Sequence, residues 1–189
     1  MPKGWGSRDW SRAARRIRVP MGFLFAAFYL WRARPSAASI ALSLLLVAPG
    51  LLLRAYASGY IEKNDVLTVS GPYAHTRNPL YLGSVMIALG FAAASRSLWV
   101  VILLALFFVV IYMPTILSEE DFLRSTFPQF NAYARRVPRL LPWPRAARKV
   151  DGAAGGFSPA LYRKHREYNA VLGACAVYAA LLVDLLLRR

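Results

Sequence analysis

Chemistry-bearing side chains concentrate in two short stretches of this chain. Gly71-Pro-Tyr-Ala-His-Thr-Arg-Asn-Pro-Leu-Tyr-Leu-Gly83 is a polar, aromatic, turn-rich loop wedged between long apolar runs, and Glu119-Glu120-Asp121 follows a later apolar run. Asn78-Pro79 reads as a helix start, because Asn favours the N-cap and Pro the first helical position. The N–H groups and positive dipole end there suit an anionic ligand group such as a carboxylate. The acid cluster holds three of only nine acids in a chain with 24 Lys and Arg. It attracts the opposite kind of partner: a ribose, an amine or a sulfonium. Singly, each piece has a plainer reading. Asn78-Pro79 starts a helix, Tyr73 and Tyr81 are interfacial aromatics, and Glu120 pairs with Arg124 at i,i+4.

Other chemistries lack their residues. His75 and His165 have no metal-ligand spacing, and no metal site is expected. No P-loop or GxGxxG pattern occurs, so a Rossmann cofactor domain is not expected. Any cofactor must then be held by loops and helix ends.

The elements that position these residues read as membrane helices. The chain is 57% hydrophobic, with a mean hydropathy of +0.38, too apolar for an ordinary soluble domain. Its net charge of +15 flanks the apolar runs instead of covering an exposed helix face. That pattern points to anionic headgroups and not to nucleic acid. Cys175 stands alone in an apolar run and reads as a small core residue.

The spacing predicts an all-α polytopic membrane bundle of about five transmembrane helices, one domain over 1–189. Residues 1–18 are a basic segment suited to a short interfacial helix. Residues 19–60 hold the first two spans, with a kink at Pro49-Gly50 and with Arg54 either snorkelling or facing a polar cavity. A cleaved signal peptide is the rival for the first run, and Arg32 and Arg34 directly after it argue for retention. Residues 61–78 are the motif loop, and 79–117 a tight hairpin turning at Ser95-Arg-Ser97. Residues 118–144 carry an amphipathic helix from Phe122 to Leu141, 145–167 a linker, and 168–187 the last span, with Asp184 paired to Arg188. With five spans and the N-terminus inside, 18 Lys and Arg lie inside against Arg32, Arg34, Arg96, Arg188 and Arg189 outside. By the positive-inside rule the motif loop and the acid cluster share the cytoplasmic face, as expected of an inner-membrane protein.

Val66-Leu-Thr-Val-Ser-Gly-Pro-Tyr-Ala-His-Thr-Arg-Asn-Pro-Leu-Tyr-Leu-Gly83, then Glu119-Glu120, then Tyr133-Ala-Arg-Arg-Val-Pro138 and Pro142 together resemble the isoprenylcysteine carboxyl methyltransferase and phospholipid methyltransferase group. These are integral membrane enzymes that use S-adenosylmethionine. The resemblance implies a cytoplasm-facing cofactor pocket. In it Val66, Leu67 and Thr68 lend backbone contacts, Tyr73 packs on the cofactor, and Asn78, Pro79, Leu80 and Tyr81 line it at the helix start. It implies that Glu119 holds the cofactor with Glu120 beside it, and that Arg77 orients the loop or binds an anion. The catalytic set is then Arg77, Glu119 and Glu120. The implied acceptor is a lipid-like or isoprenoid molecule, methylated at a carboxylate or an amine. Two positions depart from the pattern. Asn78 stands where the family usually has His, and Asn cannot act as a base near neutral pH. Pro114-Thr115-Ile116 stands where the eukaryotic prenylcysteine enzymes carry an arginine, so a prenylated protein C-terminus is not the expected substrate.

Two other readings compete: an NADPH-dependent sterol-type membrane reductase, which shares a similar Arg-x-Pro-x-Tyr loop, and a non-enzymatic membrane scaffold.

Overall fold

The computed structural model describes residues 21–61, 66–144 and 156–188. The expected interfacial helix of residues 1–18 and most of the Gly/Ala-rich connector lie outside them. The described chain is helical: α1 Met21–Arg32, α2 Ala37–Ser58, α3 Pro79–Ser95, α4 Leu98–Thr126, α5 Phe130–Arg136, α6 Pro159–Lys164 and α7 Tyr168–Leu187. No strand occurs among the described residues.

Three of these helices are long and apolar enough to cross a membrane: α2, α4 and α7, whose apolar 18-residue stretches have mean hydropathies of 1.9, 2.8 and 2.3. The apolar helices α1 and α3 are shorter. The 17 residues of α3 rise about 26 Å, a little less than the hydrocarbon layer. The outward faces present Leu45, Leu52, Leu98, Leu172 and Leu187 to the surroundings. In water such a surface would aggregate; in lipid it is solvated. The protein is an integral membrane helix bundle. Cys175 is exposed on α7, contrary to its expected place in the core, because an apolar run in a membrane helix faces lipid as readily as protein.

The tightest packing joins α2 to α3. A Cβ on Gly50 would sit 2.9 Å from the carbonyl oxygen of Gly83, one on Gly83 2.7 Å from that of Gly50, and one on Gly90 2.9 Å from that of Ser43. Small residues let the two backbones touch, which is the main source of helix affinity in lipid. α2 runs unbroken through Pro49. At the far end, Arg34 N–H donates to Ser95 O at 2.9 Å and Ser39 Oγ to Ala94 O at 3.0 Å. The α3–α4 turn is as tight as expected. It pivots on Arg96, left-handed at φ 51°.

The helix expected from Phe122 to Leu141 is not one element. α4 continues through Phe122 to Thr126, with a π turn at Phe108–Tyr112 just before Pro114. Phe127 then turns extended (φ −118°, ψ 109°) because Pro128 disfavours helical geometry in the residue before it. The short α5 follows. Asp184 accepts from Arg188 Nε at 2.7 Å, as the spacing predicted.

Candidate functional site

α2 and α4 end, and α3 and α7 begin, at one end of the bundle. The chain direction requires this: α2 runs toward that face, α3 leaves it, α4 returns and α7 leaves again. Between these ends lies a cavity of about 560 Å³, within the range of small-molecule sites. Its walls include every residue singled out above for a binding or catalytic role: Val66, Leu67, Thr68, Tyr73, Arg77, Asn78, Pro79, Leu80, Tyr81, Glu119 and Glu120.

The two adjacent acids divide their work. Glu119 is exposed, lines the cavity and accepts a hydrogen bond from the Tyr81 hydroxyl at 2.9 Å. It joins no ion pair among the described residues. Glu120 points the other way, since neighbours on a helix diverge by about 100°. It is 3% exposed, and the expected Arg124 pair does not form. Arg124 instead lies over the Phe130 ring at 5.8 Å. Glu120 meets Arg77 Nη1 at 3.3 Å and Arg139 Nη2 at 3.0 Å. Asn78 Nδ2 donates to it at 3.3 Å. Burial pushes the Arg77 guanidinium down from its ordinary range, with Glu120 opposing. The hydrogen bond to Glu120 pushes the more exposed Arg139 up. Both stay charged at neutral pH.

Asn78 holds the N-cap position, but its side chain does not cap the helix. It donates to Arg139 O at 2.9 Å as well as to Glu120. The segment after α5 lies along the motif loop. Arg77 N–H donates to Pro138 O at 2.9 Å and Trp143 N–H to His75 O at 2.9 Å, while Thr76 Oγ1 donates to Leu140 O at 3.0 Å. His75 Nδ1 pairs with Trp143 O at 2.9 Å and lies outside the cavity wall.

Tyr73 sits in a 3-10 turn, Gly71–Ala74. Gly71 enters the turn at φ 58°, and a Cβ there would sit 2.6 Å from the Tyr60 ring. The turn therefore demands glycine twice over. The Tyr133 hydroxyl donates to Tyr73 O at 2.6 Å. Leu67, Phe130, Tyr133 and Val137 pack beneath. The Tyr73 hydroxyl itself is buried without a hydrogen-bond partner in the cavity wall. Burial pushes both phenols up, so each stays protonated.

Sequence reasoning missed one half of the cavity. Arg54 of α2 faces it, the second of the two fates foreseen. Its Nη2 meets Glu167 Oε2 at 2.8 Å and its Nε donates to the same oxygen at 3.1 Å. Its Nη1 donates to Leu80 O at 3.3 Å and to Ser84 Oγ. Glu167, placed in the linker by the sequence, lies just ahead of α7 and lines the cavity. A lone Arg in one span and a lone Glu at the start of another were the available signal. Ser84, Tyr112, Phe122 and Phe130 are among the other wall residues that were missed. Tyr112 meets the Tyr81 ring edge-on at 5.7 Å.

Among the described residues no cluster of His, Cys, Asp and Glu is arranged to hold a metal ion. Two curated proteins are similar in sequence. The cobalt-zinc-cadmium resistance protein CzcN of Cupriavidus metallidurans is 36% identical over 66% of this chain and 61% of its own length. The nickel-cobalt-cadmium resistance protein NccN of Alcaligenes xylosoxydans xylosoxydans is 35% identical over 57% of this chain and 51% of its own length. The chain thus spans between half and two thirds of these relatives. No solved structure matches it. Residues 42–129, from α2 through the motif loop to the end of α4, match the phospholipid methyltransferase family.

Proposed function

We propose that this protein is a membrane methyltransferase that takes its methyl group from S-adenosylmethionine and delivers it to a lipophilic acceptor. One observation carries the reading. Glu119, brought from the end of α4 to the start of α3, is a cavity acid held by Tyr81 with no cation paired to it among the described residues. Glu120 and Glu167 are neutralised by arginines. A cationic ligand is what the remaining carboxylate needs.

When bound, S-adenosylmethionine supplies a methyl group already activated on a sulfonium, so transfer needs chiefly proximity and alignment. Glu119 and Tyr81 would hold the cationic part. Val66, Leu67 and Thr68 would border the rest through backbone groups, and Tyr73, Asn78, Pro79 and Leu80 would close the wall. Arg77 and Glu120, buried in their own ion cluster, would fix the loop rather than touch the reacting atoms. The acceptor would reach the cavity from the bilayer, with the site on the cytoplasmic face of an inner membrane.

The test is titration calorimetry of the purified protein with S-adenosylmethionine and, separately, with NADPH. Saturable binding of S-adenosylmethionine at one site is expected. Binding of NADPH alone favours the reductase reading and rejects this one. Binding of neither favours the scaffold.

A further inference from the structure

We infer, resting on the methyl-transfer reading, that Tyr112 is a cofactor-binding residue. With Tyr81 it forms an aromatic corner that takes the sulfonium beside Glu119 and holds the neutral thioether left after methyl transfer less well.

The first support is geometry. The Tyr81 and Tyr112 rings stand nearly perpendicular, at 84°, with centroids 5.7 Å apart. Both line the cavity, as does Glu119, which accepts the Tyr81 hydroxyl at 2.9 Å. Two aromatic walls and a carboxylate thus adjoin. Donating to a carboxylate also polarises the Tyr81 phenol and enriches its ring. Phe107 and Phe108 pack on the Tyr112 ring at 5.8 and 6.1 Å and fix its orientation, yet neither lines the cavity.

The second support is the way α4 delivers Tyr112. It ends the π turn Phe108–Tyr112, where Met113 N–H reaches back to Phe108 O. Pro114 follows and has no N–H to offer an α-helical partner. A π turn adds one residue, so side chains beyond it are swung by about 100° from their places on an unbroken helix. Tyr112 and Glu119 lie two helical turns apart and share one side of α4.

The third support is the chemistry of the ligand. S-adenosylmethionine carries an ammonium and a sulfonium separated by a three-carbon chain, and Glu119 can neutralise only one of them. The ammonium has N–H groups for a carboxylate. The sulfonium has none, and its charge spreads over the attached carbons, which suits aromatic faces. After methyl transfer the C–S bonding pair stays on sulfur, the positive charge passes to the acceptor, and the attraction of the rings is lost. The ammonium contact is the same in cofactor and product, so the corner alone separates them.

The experiment is titration calorimetry of the full chain in detergent, without acceptor, using S-adenosylmethionine and S-adenosylhomocysteine in turn. The quantity read is the ratio of the two affinities. Tyr112→Leu should weaken S-adenosylmethionine by about 3- to 30-fold, the range of a partly desolvated cation–π contact, and S-adenosylhomocysteine by about 2-fold or less. Tyr112→Phe keeps an aromatic face and should preserve the ratio. A phenylalanine with a trifluorinated ring, introduced at position 112 by codon suppression, keeps the shape, weakens the quadrupole and should lower the ratio. Equal losses for both ligands in Tyr112→Leu would mean that Tyr112 only shapes the wall, and an unchanged ratio in the fluorinated protein would likewise overturn the inference. Should the Leu variant not fold, the comparison of Phe with its fluorinated form decides alone. Either of these failures leaves the methyl-transfer reading standing, whereas a wild type that does not bind S-adenosylmethionine removes both.

Discussion

The Tyr81 hydroxyl donates to Glu119 at 2.9 Å across 38 positions of sequence. This contact joins the first turn of α3 to the final turns of α4. It also orients the cavity acid that lacks a cation. Tyr81→Phe removes the donor and keeps the ring on Tyr112. We expect an affinity for S-adenosylmethionine lower by about 3- to 10-fold, the net scale of one ordinary hydrogen bond. Tyr81→Ala loses the edge contact as well and should lose more. Calorimetry on the two variants checks the order.

Glu120 predicts the opposite phenotype. Its removal leaves the Arg77 guanidinium, whose side chain is 11% exposed, in a poorly solvated site. Breaking a buried ion pair from one side costs about 3–5 kcal/mol. Glu120→Ala should therefore lower the unfolding midpoint in detergent sharply. Arg139→Ala, at a side chain 40% exposed, should lower it far less. Equal losses from the two would contradict the assignment.

Arg54 and Glu167 are expected to show strong coupling. Each single change to Leu strands one charge beside the cavity. The double change removes both, and such replacements are often neutral. A double-mutant cycle on stability should return a coupling of about 1–3 kcal/mol. Additive losses would mean that the bidentate contact contributes little.

Alkaline stability follows from Tyr73 and Tyr133. Both phenols are raised by burial. An unfolded chain ionises them near about pH 10 while the folded chain keeps its protons. The folded state then binds more protons, so stability is intact below that pH and falls as pH rises past it. Melting curves from pH 8 to 11 should show a shallower alkaline decline for Tyr73→Phe than for wild type. Parallel declines would oppose this.

Much of this arrangement was legible in the residues, for identifiable reasons. Long apolar runs announce spans because the bilayer admits little else. The motif loop and Glu119 could be assigned to one face because charge bias and an even number of crossings force it. Glu119 and Glu120 could not be told apart, since adjacency in sequence says nothing of which side of a helix faces a cavity. Arg54 demanded a partner, but Glu167 lies 113 positions away, and no local pattern links them. The break at Phe127 was available in Pro128 and was overridden by an apparent amphipathic period. The role of Asn78 was hidden because the side chain prefers the Arg139 carbonyl and Glu120 to its own helix start.

The central claim is that the acid at the end of α4 holds S-adenosylmethionine against the start of α3. Titration of wild type and Glu119→Ala with S-adenosylmethionine addresses it most directly. The account predicts one site in the wild type. In the variant the affinity should drop about 10- to 100-fold, the scale of a lost charge-assisted contact. The unfolding midpoint should stay nearly unchanged, because Glu119 is exposed. Equal affinity in the two proteins would contradict it.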